Sequence, residues 1–77
     1  MDVNVVEIFA KRLRELRELK GLGVRELASE LGISHSAICL YESCKREPSV
    51  SMCKLIADYF DVSCDYLLGL TDEPKRR

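Results

Sequence analysis

The chain has 77 residues, 47% of them hydrophobic, with 12 basic side chains against 13 acidic ones and a formal charge of -1. At that length the expectation is a single domain, spanning 1–77, and no apolar run approaches the roughly 20 residues that cross a bilayer. The opening run Met1-Asp2-Val3-Asn4-Val5-Val6-Glu7 lacks the basic, apolar and small-residue succession of a secretory signal, so the expectation is a cytoplasmic protein without a membrane partner.

From Val5 to Lys20 the apolar residues Ile8, Phe9, Leu13, Leu16 and Leu19 recur at three- and four-residue steps with charges between them, which predicts an amphipathic helix. Asn4 followed by Glu7 reads as a capping box at its start, and Gly21 as its left-handed stop. Val24, Leu27, Ala28 and Leu31 share one face of a two-turn helix that Gly32 interrupts. Ser34 then caps a third helix, in which Ala37, Ile38 and Tyr41 recur inwardly until the pattern yields near Ser43, ahead of Pro48. Ser49 caps a fourth helix with the apolar face Met52, Leu55, Ile56, Tyr59 and Phe60, ending before Val62. Ser63 caps a short fifth, closed by Gly69. No segment alternates with period two for long enough to form a strand, so the fold class is all-α.

The four cysteines, Cys39, Cys44, Cys53 and Cys64, lie five, nine and eleven positions apart, with His35 the one histidine. Without a secretory signal they read as reduced thiols filling space in helices, and their spacing matches no zinc motif. No metal or other cofactor is expected. The basic side chains Lys11, Arg12, Arg14, Arg17, Lys20 and Arg25 gather in the first third, whereas Asp58, Asp61, Asp65, Asp72 and Glu73 come late, so a near-zero net charge can hide a basic face. Residues 71–77 read as a tail beyond a core of about 8–70, and its last residues, Lys75-Arg76-Arg77 after Pro74, as a frayed end.

The second and third helices, joined through Leu31-Gly32-Ile33-Ser34, meet the requirement of a helix-turn-helix: a small residue at the bend and an apolar anchor, Ile38, returning to the core. Between Leu13 and Leu68 the chain carries, in order, Leu13-Arg14-Glu15-Leu16-Arg17, Leu22, Glu26-Leu27-Ala28, Leu31-Gly32-Ile33-Ser34, Ile38, Tyr41-Glu42, Lys45-Arg46, Pro48-Ser49, Tyr59-Phe60-Asp61-Val62-Ser63 and Asp65-Tyr66-Leu67-Leu68. In these residues and their spacing the stretch resembles the phage repressor and Cro-like family of helix-turn-helix regulators, the xenobiotic-response-element family.

The resemblance implies a compact five-helix, lambda-repressor-like DNA-binding domain acting as a transcriptional regulator and repressor. Its recognition helix, about 34–43, would enter the major groove of double-stranded DNA. His35 and Ser36 match base-contacting positions, with Ala37, Cys39 and Leu40 as further candidates. Lys45 and Arg46 match basic loop positions that meet phosphate, Ser43 matches a backbone-contacting position, and the amides of Val24 and Arg25 would face a phosphate at a helix start. Arg17 and Glu42 match a structural ion pair between the first and third helices. Two positions depart from the family pattern: Val24 replaces a common glutamine, and Cys44 a common glycine. A homodimer on a near-palindromic operator is expected, with Tyr66, Leu67, Leu68 and Leu70 either forming its interface or closing the core; no small-molecule effector is expected.

Two other functions fit the same residues. An antitoxin-like or adaptor module on this fold would keep the helices and lose the DNA contacts. An enzyme would need more than the i, i+4 pair of His35 and Cys39, which has no third orienting group, so catalysis is not expected; oxidation of Cys39 or Cys44 as a redox signal is a milder variant.

Overall fold

Left-handed residues divide this chain. The computed structural model describes residues 4–75, and among them are five helices and no strand: α1 (Asn4–Leu19), α2 (Val24–Leu31), α3 (His35–Glu42), α4 (Val50–Phe60) and α5 (Cys64–Leu68). After each comes one residue with positive φ: Gly21 at 71°, Gly32 at 73°, Cys44 at 64°, Asp61 at 57° and Gly69 at 84°. In every case the amide beyond that residue reaches back five positions, as Ile33 N–H does to the Ala28 carbonyl at 3.0 Å and Lys45 N–H to that of Leu40 at 2.9 Å. This is the Schellman closure, which satisfies carbonyls that the helix end would otherwise leave without donors. The starts are equally local. Ser34, Ser49 and Ser63 each accept the amide three residues on, at 3.2, 3.0 and 3.0 Å. At α2, Gly23 has no side chain, and the Glu26 carboxylate instead accepts the Gly23 amide at 2.7 Å. α1 already includes Asn4, so that residue stands inside the helix it was expected to cap, and its side chain lies outside the described residues.

The apolar stripes converge on one core. Phe9, Leu13, Leu27, Ile38, Ile56 and Leu67 are its largest fully buried side chains, and Ala28 and Ala57 let neighbouring helices approach closely. Phe9 meets Tyr41 edge-on at 5.9 Å between ring centroids, which ties α1 to α3. No buried polar or charged side chain is found among the described residues. Leu67 is fully buried, the core-closing one of the two places expected for it: α5 is a single turn, and it turns this residue inward against α1 and α4.

Residues 71–74 of the tail are tied back to the domain. The Arg12 guanidinium donates to the carbonyls of Tyr66 at 2.6 Å and Thr71 at 2.7 Å and to the Asp72 carboxylate at 2.9 Å, and it lies 4.2 Å over the Tyr66 ring. Ser63 N–H donates to the Pro74 carbonyl at 3.0 Å, so the segment is folded back on α5. Arg76 and Arg77 lie outside the described residues. Gly69 is tightly placed as well: a Cβ there would come within 2.8 Å of Ile8 Cδ1. Of the cysteines, Cys53 fills core space, and burial, with nearby Cys64, raises its thiol pKa. Cys39 and Cys44 are exposed and fill no core space.

Candidate nucleic-acid interface

α3 has eight residues, and its burial pattern separates what it gives to the core from what it shows outside. At about 100° per residue, Ile38 and Tyr41 fall on the inner face and are buried. His35, Ser36, Cys39 and Leu40 follow an i, i+1, i+4, i+5 stripe on the other side. Ser36 and Cys39 are exposed, and His35 and Leu40 are half-buried. Ala37 sits between the faces, half-buried and packed against the core, so it offers less to a ligand than the other four.

The outer stripe is held in place from behind. Arg17 Nε donates to Glu42 Oε2 at 2.7 Å and Arg17 Nη2 to Glu42 Oε1 at 2.9 Å, a two-pronged pair across α1 and α3. Arg17 Nη1 also donates to the Leu22 carbonyl at 2.9 Å, joining the α1–α2 turn to the same guanidinium. The two side chains are 13% and 9% exposed, so water does little to weaken the pair. Hydrogen bonding to Glu42 raises the pKa of Arg17 above its ordinary value, although burial opposes the shift. Arg14 is half-exposed and adds a looser contact, 3.7 Å from Nε to Glu42 Oε1. Glu42 is thereby neutralised, and no acidic side chain on α3 remains uncompensated.

The groups flanking α3 are arranged differently. Lys45 and Arg46 are exposed in the α3–α4 loop, and neither has an ion-pair partner among the described residues. Ser43 is exposed too, but its hydroxyl already donates to the Leu40 carbonyl at 3.2 Å. At the start of α2, Arg25 is exposed and Val24 is half-buried against the core. The Glu26 carboxylate occupies the Gly23 amide at that helix end and adds negative charge beside any anion bound there. Cys44 is left-handed, so the loop follows the path a glycine would give it while carrying a side chain.

Of the residues expected at a dimer contact, Leu67 is in the core and Tyr66 is half-buried beneath Arg12. Leu68 is half-buried, and Leu70 is 74% exposed. Sequence reasoning missed Arg12 as an anchor. Its signal was position: Arg12 lies three residues after Phe9 and four before Leu16, on the flank of the apolar stripe of α1.

The helix-turn-helix family profile matches residues 13–67. The chain is 39% identical over 67 residues to an uncharacterized HTH-type transcriptional regulator of Bacillus subtilis, YobD, an alignment covering 87% of this chain and 60% of that protein. It is 45% identical over 58 residues to the HTH-type transcriptional regulator AnsR of the same organism, covering 75% and 50%. A third Bacillus subtilis protein, the uncharacterized HTH-type transcriptional regulator YazB, is 38% identical over 61 residues, covering 79% and 88%. The chain thus spans 50–60% of the length of the first two relatives and most of the third.

Proposed function

The chain belongs to the Cro-like helix-turn-helix family of DNA-binding transcriptional regulators, and on that premise we propose that it is a cytoplasmic repressor that reads a near-palindromic operator as a homodimer. The observation carrying this reading is the pairing of a neutral outer stripe on α3 with unpaired cations just beyond its end. A protein–DNA contact separates these tasks in the same way: cations and amides meet phosphate and fix the register, and short polar side chains in the groove meet base edges.

In this reading α3 lies in the major groove with its N-terminal end inward. His35 and Ser36 meet base edges first, Cys39 and Leu40 lie against the groove wall, and Ala37 at most brushes a thymine methyl group. Lys45 and Arg46 grip phosphate, assisted by Ser43 and by the Val24 and Arg25 amides at the start of α2, where the Glu26 carboxylate weakens the pull on an anion. Arg17 and Glu42 hold α3 at its angle without touching DNA. One helix reads only a few base pairs, so two copies are needed for a specific site. The absence of any cation on α3 itself favours, as a second reading, a protein-binding adaptor on the same scaffold.

Selection of bound duplexes from a random pool separates the two. A regulator enriches a near-palindrome, and Ser36→Ala and His35→Ala each relax the preference at particular positions, where a good base contact discriminates by about 1–3 kcal/mol. An adaptor enriches no sequence, and its two variants behave like the parent.

A further inference from the structure

Sequence reading assigns any thiol signal to Cys39 and Cys44, whereas the fold brings the other two cysteines together. Cys53 lies in the first half of α4, and Cys64 opens α5, 11 positions later. The reversal between them is fixed by hydrogen bonds. Beyond left-handed Asp61, Val62 N–H donates to the Ala57 carbonyl at 3.0 Å, and the Ser63 hydroxyl accepts the Tyr66 amide at 3.0 Å. That path returns Cys64 alongside α4, with its Sγ 4.0 Å from the Cys53 carbonyl oxygen. Only the carbonyl carbon, Cα and Cβ separate that oxygen from Cys53 Sγ, so the two sulfurs are neighbours. Cys53 is 9% exposed and Cys64 is half-buried. Burial, and then the charge of Cys64, raises the Cys53 thiol pKa, a second sign that the sulfurs lie close. Among the described residues no His, Cys, Asp or Glu completes a metal-binding group around them, so the pair stands as a dithiol.

We propose that Cys53 and Cys64 are an oxidative modification site, which a hydroperoxide converts to an intrachain disulfide joining α4 to α5. Cys64, the less buried thiol, reacts first. As thiolate it attacks one peroxide oxygen: the S–O bond forms, the O–O bond breaks, and the other oxygen leaves as an alcohol, or as water from hydrogen peroxide, taking up the proton that the thiol gave. Cys53 sulfur then attacks the sulfur of the Cys64 sulfenic acid. The S–S bond forms, the S–O bond breaks, and the hydroxyl leaves as water with the Cys53 proton. The two sulfurs lose two electrons and the hydroperoxide gains them. Burial of Cys53 suits this order, because a covered thiol meets little oxidant from solution yet stands ready for a sulfenic acid formed beside it. α5 is a single turn, so the approach that disulfide geometry requires falls on a short element. Where thiols are kept reduced such a bond is transient, and exchange with a small thiol restores both cysteines. Neither cysteine lies on α3, so the linkage acts by restricting the unfolded chain and leaves the proposed reading face alone.

The test is treatment of the folded full chain with hydrogen peroxide, followed by alkylation of remaining thiols, digestion without reduction and mass spectrometry, alongside a thermal melt. The expected result is a peptide pair linking Cys53 to Cys64, lighter by two hydrogens than its separate thiol forms, with Tm raised by at least about 5 °C and restored by dithiothreitol. Cys39→Ser/Cys44→Ser removes the two exposed thiols and should keep both the linkage and the shift. Cys64→Ala, at a half-buried position, should lose both. Peroxide that leaves Cys53 and Cys64 as free thiols, modifies them separately, or links either one to Cys39 or Cys44 overturns the proposal. No DNA is present, so the outcome is independent of whether α3 binds an operator.

Discussion

Arg17 is the residue on which the orientation of α3 depends. Its guanidinium serves two elements at once, the Glu42 carboxylate and the Leu22 carbonyl, and removing either partner of the ion pair leaves a mostly buried charge in place. Arg17→Met or Glu42→Gln is expected to cost on the order of 3 kcal/mol in urea denaturation, a large part of the roughly 5–15 kcal/mol that holds a small domain folded. Arg17→Met combined with Glu42→Met should recover much of that loss, because no charge is then buried alone. Single variants that cost under about 1 kcal/mol would put the pair among ordinary surface contacts. Sequence made this pair legible through resemblance, since the two residues are 25 positions apart and no local pattern links them. The Arg12 contacts, at separations of 54 to 60, had no such guide. Composition suggested that Arg12 belonged to a basic face, but geometry directs its charge to the chain's own C-terminal segment.

Among the helices, sequence was most informative where structure is local. The starts of α2 to α5 and the stops at Gly21, Gly32 and Gly69 follow from serine caps, a glycine turn and glycine's freedom at positive φ. Asp61 and Cys44 occupy the same conformation and carry no comparable signal, because any residue can be forced there when the surrounding packing demands it. For Cys44 the cost is that of a Cβ in the left-handed region, about 1–2 kcal/mol, against the roughly 0.5–1 kcal/mol of extra chain entropy that a glycine loses on folding. Cys44→Gly is accordingly expected to stabilise the protein by up to about 1 kcal/mol, a rise of a few degrees in Tm, and Cys44→Ala to give no such gain. Equal melting of the two variants would mean that the loop after α3 is not strained. The helix that sequence read least well is α5. With one turn, and Asp65 its one charged residue, it carries too little pattern to mark the outside, so Leu67 within it and Leu70 just past its Gly69 stop look alike in sequence and differ completely in burial.

For the whole molecule, a charge of -1 gives no sign of a polyanionic partner, and the folded chain shows why that sum misleads. Several charges are engaged internally: Arg12 by Asp72, Arg17 and Arg14 by Glu42, and Lys54 by Asp58. Lys45 and Arg46 stay exposed beside the outer face of α3. The number of cations matters less to DNA affinity than where the uncommitted ones stand, because each phosphate neutralised releases condensed counterions. The Cys53–Cys64 pair likewise needs the assembled fold to exist. Its two thiols stand on separate helices, and in sequence a spacing of 11 positions marks no pair.

The proposed DNA-binding face, α3 with the loop behind it, is tested most directly by titrating a selected duplex at several salt concentrations with the parent protein and with Lys45→Ala/Arg46→Ala. Affinity is expected to fall steeply as salt rises, with a log–log slope shallower in the double variant by about 0.9 for each phosphate contact removed, on the order of 2 per protomer. Binding that ignores salt, or a double variant with the parent's slope and affinity, would contradict this assignment.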